Sequence, residues 1–160
     1  MQKTDGRMRQ SAGILLYRSQ AGYLEVLLVH PGGPFWARRD DGAWTIPKGE
    51  FDDGESPLDA ARREFREETG GDVAGPFHAL QPVRLAGGKR VHAFAARGDF
   101  DVANLVSNSF TIEWPPRSGR MRAFPEVDRA QWFGLDEAAS KLHPAQSAWL
   151  GEIKAIAPTT

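Results

Sequence analysis

Residues 49–71, G-E-F-D-D-G-E-S-P-L-D-A-A-R-R-E-F-R-E-E-T-G-G, carry a helix with its own start and stop signals. Ser56 is a good N-cap, because its hydroxyl accepts from a free backbone N–H of the first turn. Pro57 falls at the first helical position, where no donor is needed and φ is already helical. Asp59, at the third position, is a weaker form of the reciprocal cap and suits the positive end of the helix dipole. Gly70 can adopt the left-handed conformation that closes a helix. The sequence therefore predicts a helix from Pro57 to Thr69. At about 100° per residue, Leu58, Ala61 and Phe65 form a buried stripe. Glu64, Glu67 and Glu68 fall together beside it, with the small Ala60 one turn below. Like charges at this spacing cost a few tenths of a kcal/mol per pair, roughly, and a cation offsets that repulsion. Carboxylate oxygens suit a hard divalent ion such as Mg²⁺ or Mn²⁺. On the glutamates alone, a solvated face paired with Arg62, Arg63 and Arg66 is the simpler reading.

The wider spacing changes that weighing. Gly49, Glu55, Arg63, Glu64, Glu67, Glu68 and Gly70 fit G-x5-E-x7-R-E-U-x-E-E-x-G-U, where U is a bulky apolar residue. This resembles the Nudix box, the signature of the Nudix hydrolase family. Phe65 fills the first U. Gly71 stands where the family has an aliphatic residue, which leaves open how the helix end is pinned to the core. Just upstream, Trp44, Pro47, Lys48 and Gly49 match the W-x-x-P-K-G that commonly precedes the box. The resemblance implies an α/β fold, a mixed β-sheet sandwiched between helices. It implies metal ligation by Glu64, Glu67, Glu68 and the Gly49 carbonyl. Glycine suits that position because the backbone itself must approach the ion. It also implies that Arg63 orients Glu64, with Glu55 supporting the loop by pairing with Arg63.

Composition is consistent with one domain over residues 1–160, which the resemblance implies is a single Nudix hydrolase domain. Apolar content of 41% and charged content of 26% are ordinary for a globular chain, and 160 residues bury a real core without needing two. A formal net charge of −1 gives no general pull toward long nucleic acid or an acidic membrane. Any anion site must be built locally. The absence of cysteine excludes disulfides, thiolate metal sites and a thiol nucleophile. No apolar run approaches the roughly 20 residues of a membrane span, and the polar start is unlike a secretory signal. A cytoplasmic protein is expected, with residues 1–8 as a flexible arm.

Outside the box, Ser11–Arg18 and Tyr23–His30 read as the strands of a hairpin. Residues 31–42 read as a loop in which Phe35 and Trp36 precede Arg38 and Arg39. These side chains would either stack a base and meet a phosphate, or cover the core edge and pair with Asp40 and Asp41. Trp44–Pro47 reads as a short strand running into Lys48. Phe77–Leu85 and Val91–Arg97 read as strands around a basic Gly87-Gly88-Lys89-Arg90 turn, whose tip either reaches a polyphosphate or, on the simpler reading, is a solvated turn. Phe110–Trp114 reads as a strand that Pro115 and Pro116 end. Arg117, Arg120 and Arg122 follow, and with Trp114 they form a phosphate clamp, a base platform or an exposed loop. Pro125–Phe133 resembles the family's strand before the last helix. By that resemblance Glu126 is the candidate further ligand or base, with Glu113 in reserve. Leu135–Leu142 and Ala145–Ile156 read as helices, the second with Ala148, Ile153 and Ile156 on or near one face and Trp149 adjacent. His143 and Gln146 read as structural. The four histidines are scattered, without metal-ligand spacing.

The family hydrolyses nucleoside diphosphates linked to another moiety. The resemblance thus implies a small-molecule nucleotide substrate, and the V-H-P-G-G-P-F-W run resembles a bacterial subgroup of predicted nucleoside triphosphate pyrophosphohydrolases. Lys48 and the aromatic and arginine-rich loops fit a nucleoside triphosphate or a dinucleoside polyphosphate. Two alternatives stand beside this. A catalytically silent nucleotide sensor is disfavoured by the intact glutamates. An isoprenoid diphosphate isomerase is disfavoured by the missing cysteine. Oligomeric state is not encoded in any visible pattern.

Overall fold

Strand formation begins where the apolar runs begin. The structure, a computed structural model, describes residues 9–157, so the expected N-terminal arm lies outside the described residues. In chain order it contains β1 (Gln10–Gln20), β2 (Tyr23–Pro31), β3 (Lys48–Phe51), α1 (Pro57–Thr69), β4 (His78–Ala79), β5 (Val83–Arg84) and β6 (Arg90–Arg97). There follow β7 (Ser109–Glu113), β8 (Met121–Pro125), β9 (Val127–Gly134), α2 (Leu135–Lys141) and α3 (Ala148–Ile156). The main sheet runs β4-β6-β1-β2-β9, with β3 added to β1 and β5 to β6. Only the β1–β6 pair is parallel, so the sheet is mixed.

The central strands are apolar on both faces because both faces are covered. Leu15, Val26 and Leu28 join a core with Trp44, Phe133, Leu142, Trp149 and Ile153. Ala12, Ile14, Leu16 and Leu27 join a second core with Ala60, Ala61 and Phe65 of α1. The alternation along β1 and β2 thus sorts successive residues to opposite helical layers. The sheet lies between α1 on one side and the two C-terminal helices on the other, as the resemblance implied.

Helix α1 begins and ends at the residues that the capping signals predict. Ser56 Oγ accepts from the Asp59 N–H at 3.1 Å, and Gly70 closes the helix at φ 81°. Leu58 is half-buried, so the deep stripe is Ala61 and Phe65, with Ala60 beside it. The missing aliphatic at position 71 has a structural counterpart. Phe100 packs edge-on against Phe65 at 6.2 Å and fills the space beside Gly71. Thr69 Oγ1 donates to the Phe65 carbonyl and accepts from the Gly71 N–H, which fixes the turn after the helix.

Several element expectations are corrected. Residues 44–47 form isolated bridges only, Val29 with Thr45 and Trp44 with Leu142, and the strand starts at Lys48. Pro47 has no N–H to offer a ladder. The expected strand Phe77–Leu85 is two short pieces, β4 and β5, broken around Pro82 for the same reason. The expected strand Pro125–Phe133 breaks at Glu126, where β2 carries a register shift between His30 and Pro31. The last helix starts at Ala148 after a 3₁₀ turn at Pro144–Gln146. It buries Trp149, Leu150 and Ile153, while Ala148 is exposed. Asp40 and Asp41 pair with Lys141, and not with the neighbouring arginines.

Candidate active site

The box and its surroundings build one cleft. Its floor is the β1–β3 edge, where Ser11 lies opposite Glu50 and Ala12 opposite Gly49. Helix α1 lies across this edge, and its carboxylate face turns toward it. The cleft holds about 500 Å³ and is lined by Glu64, Glu67 and Glu68 together with Ser11, Lys48, Gly49, Glu50, Lys89, Asn108 and Glu126. A Cβ at Gly49 would coincide with the Glu64 carboxylate, so glycine here leaves room for that carboxylate against the strand and a larger residue would displace it.

Arg63 organises the carboxylates. Its Nε and Nη2 donate to the two Glu55 oxygens, each at 2.9 Å, in a fork. Its Nη1 donates to Glu64 Oε2 at 2.7 Å and to both Glu67 oxygens at 3.3 Å. Glu68 Oε1 instead accepts from the Lys48 N–H at 3.1 Å. Helix α1 is held in turn by the following loop, whose Asn108 N–H donates to the Glu67 carbonyl and Val106 N–H to the Thr69 carbonyl. These bonds satisfy orphan carbonyls at the helix end.

Charge is concentrated here in a way water does not fully relieve. Burial pushes the Glu68 carboxyl up to about 8, against the lowering effect of the Lys48 N–H. Burial likewise raises Glu64, with Arg63 opposing. Burial lowers the Lys48 ammonium, helped by nearby Lys89. Lys89 Nζ reaches Glu50 Oε2 at 2.9 Å and holds that carboxyl below its usual range. Arg63 does the same for Glu55. A carboxylate forced toward neutrality by burial is relieved by a cation placed beside it.

Among the described residues no three His, Cys, Asp or Glu side chains already stand in metal-holding geometry. The reason is visible: Glu64 and Glu67 are drawn to Arg63, and Glu68 to the Lys48 amide. The donors still suit a hard divalent ion. All are oxygens, three are carboxylates on one helix face, and Gly49 leaves its backbone open to the cleft. Ser11 Oγ, fully buried in the cleft floor, has no hydrogen-bond partner. A buried hydroxyl in that state is satisfied by a ligand or water filling the cleft.

The sequence candidates divide sharply by position. Glu126 lines the cleft opposite α1, its backbone locked between the Asn108 carbonyl and the Gly32 N–H. Glu113 does not; its carboxylate accepts from the Gly119 N–H in a hairpin turn. Lys48 lines the cleft. Phe35, Trp36, Arg38, Trp114, Arg117 and Arg120 lie outside its lining, on the 32–39 loop and the β7–β8 hairpin. Sequence reading missed Ser11, Glu50 and Asn108 as cleft residues, whereas Lys89, from the basic 87–90 turn, does line the cleft. Strand pairing brings Ser11 and Glu50 there, backbone bonds to Glu67 and Glu126 bring Asn108, and no local signal marks them.

Comparison with known proteins supports one assignment. The NUDIX domain family matches residues 7–153. An RNA pyrophosphohydrolase of Rhodospirillum rubrum is 32% identical over 155 residues, covering 84% of this chain and 82% of that one. An RNA pyrophosphohydrolase of Rhizobium meliloti is 30% identical over 116 residues, 63% of this chain, and the match spans only 64% of that protein. The crystal structure of a C. elegans Ap4A hydrolase binary complex superposes with a TM-score of 0.60 at 23% identity, over 92% of this chain and 96% of that one. With the family matched over almost the whole described fold, the chain belongs to the Nudix hydrolase family.

Proposed function

We propose that the chain hydrolyses a phosphoanhydride bond in a nucleoside diphosphate linked to another moiety, with a divalent ion held by Glu64, Glu67, Glu68 and the Gly49 carbonyl. The observation that carries this is the convergence of those three carboxylates on one cleft with Gly49 and Glu126. When bound, Mg²⁺ or Mn²⁺ would neutralise phosphate charge, orient the chain and make water a better nucleophile. The remaining work is positioning. Arg63, fixed by Glu55, presents Glu64 and Glu67 to the cleft. Lys48 and Lys89 offer ammonium groups to phosphate oxygens within an otherwise acidic site. Glu126, or one of the helix glutamates, takes the proton from the attacking water. Divalent-ion use is general in this family; the choice between Mg²⁺ and Mn²⁺ belongs to the proposal.

The substrate we favour is a nucleoside triphosphate or a dinucleoside polyphosphate. A cleft of this size admits a short phosphate chain, and the aromatic and arginine-rich loops stand beside it. The relatives named above as RNA pyrophosphohydrolase and Ap4A hydrolase are consistent with a substrate carrying several phosphates. The test is hydrolysis of a nucleotide panel with Mg²⁺, with Mn²⁺ and with chelator, identifying products as well as rates. Metal-dependent release of a monophosphate and pyrophosphate supports a triphosphate substrate. Preference for dinucleoside polyphosphates supports the longer chain. Tight binding without turnover of any member refutes the hydrolase reading and leaves a nucleotide sensor.

A further inference from the structure

The β7–β8 hairpin is an outgrowth of the cleft rim. It leaves the cleft after Asn108 and returns to it at Glu126, and both of those residues line the cleft. Among the described residues its strands pair only with each other, in register Phe110 with Phe124 and Ile112 with Arg122. The Trp114 N–H extends the ladder to the Arg120 carbonyl. Cross-strand partners share a face, and residues two apart along a strand share it too. Phe110, Ile112, Trp114, Arg120, Arg122 and Phe124 therefore occupy one face. That face meets the 32–39 loop: Gly33 abuts the Phe110 ring, and Phe35 packs edge-on against Trp114 at 5.5 Å.

Its charge is opposite to that of the cleft. The loop and hairpin carry Arg38, Arg39, Arg117, Arg120 and Arg122 against one carboxylate, Glu113. None of the five arginines is in an ion pair among the described residues. Two lie over aromatic rings instead, Arg39 on Trp36 at 5.5 Å and Arg122 on Phe124 at 5.2 Å. Phe35 is 64% exposed, so a ring face is open to a further partner. The overall charge of −1 thus conceals an acidic cleft joined to a basic, aromatic arm.

We propose that this arm binds the single-stranded nucleic-acid chain that continues from a 5′-polyphosphate seated in the cleft. The acidic cleft repels any polyanion that enters it. Attraction for a longer chain must come from outside the cleft, and the arm supplies it. Guanidinium groups meet backbone phosphates while exposed rings stack bases, a combination that binds single strands without reading their sequence. At about 3.3 Å per residue the five-residue strands span the length of a few stacked nucleotides at about 3.4 Å each. This inference rests on the hydrolase reading for the occupant of the cleft and on the arm alone for the chain.

The test is fluorescence anisotropy with a 3′-labelled, 5′-hydroxyl single-stranded RNA about ten nucleotides long, and with DNA of the same sequence, in chelator. The unphosphorylated end and the chelator keep the cleft chemistry out of the readout. The wild-type chain binds in a salt-dependent manner. The R117A/R120A/R122A variant, its melting temperature unchanged, binds at least tenfold more weakly, and its log K against log salt slope is flatter by up to about 2, at roughly 0.7 per lost phosphate contact. The R117K/R120K/R122K variant keeps most of the salt slope, which separates lost charge from a damaged hairpin. Binding of RNA alone supports the proposal and adds a 2′-hydroxyl contact; binding of both strands supports the shared chemistry. No binding, preference for a duplex, or equal affinity of wild type and the alanine variant overturns it. Arm-dependent binding without hydrolysis of any nucleotide by the wild-type protein refutes the cleft reading and upholds the arm.

Discussion

Restoring the family's aliphatic residue at position 71 destabilises this chain. An ideal Cβ at Gly71 lies 2.8 and 2.9 Å from two Phe100 ring carbons and 3.5 Å from Phe65. Carbon atoms pack best at about 3.5–4.0 Å, so the Phe100 ring must retreat by more than about half an ångström. It is not free to do so cheaply. The ring stands edge-on to buried Phe65, and the Phe100 carbonyl accepts from Trp132 Nε1 at 2.9 Å. Overpacking of this kind costs about 1–3 kcal/mol. For a chain of this length that lowers the melting temperature by roughly 3–9 °C, at about 3 °C per kcal/mol. The assay is thermal unfolding of Gly71→Ile, Phe100→Ala and the double variant. In the double variant the aliphatic group occupies the space the ring vacated, so the two losses are less than additive. A Gly71→Ile chain as stable as its parent, or strictly additive losses, would show that Phe100 does not replace the missing side chain.

Glu67→Gln keeps the fold, judged by an unchanged melting temperature, and lowers turnover by about 10²-fold or more; loss of folding in step with activity would assign Glu67 a structural role. Glu55→Gln removes one end of the Arg63 fork and lowers kcat by about tenfold through misplacement of Glu64 and Glu67, while KM for the nucleotide changes little; an unaltered kcat argues against the orienting role. In chelator, folded Glu68 holds its proton to about 8, against an ordinary value of 4.5. The folded state then binds the extra proton, so this contribution to stability is full at low pH and is lost as pH rises through about 8. Melting temperature measured between about pH 6 and 9 therefore falls more steeply for wild type than for Glu68→Gln, and equal slopes refute the assignment.

The helix was legible because everything that makes it is local. Cap, proline, dipole charge and closing glycine lie within residues 56–70, and the period sets which side chains share a face. The fork of Arg63 on Glu55 was legible only through the resemblance, since seven positions separate the two and Glu55 lies before the helix cap. What stayed illegible is what strand pairing decides. Lys89 and Glu50 meet because Gln10 pairs with Arg90 on one side of β1 while Ser11 pairs with Glu50 on the other. Neither register is visible in the sequence of a single strand, where both faces are apolar and a one-residue slip leaves the pattern unbroken.

The hairpin shows the same limit from the other direction. Trp114, Arg117 and Arg120 read in sequence as a basic cluster of uncertain address. Their address depends on two backbone bonds. Glu126 donates its N–H to the Asn108 carbonyl at 2.7 Å and accepts at its own carbonyl from the Gly32 N–H at 2.9 Å. The first closes the base of the hairpin; the second ties that base to the end of β2, beside the loop carrying Phe35 and Arg38. A residue proposed for the chemistry therefore also anchors the arm. Glu126→Gln leaves both backbone bonds in place, whereas Glu126→Pro removes the N–H. The two substitutions separate the roles: the first reports the carboxylate alone, and the second also frees the arm from the cleft.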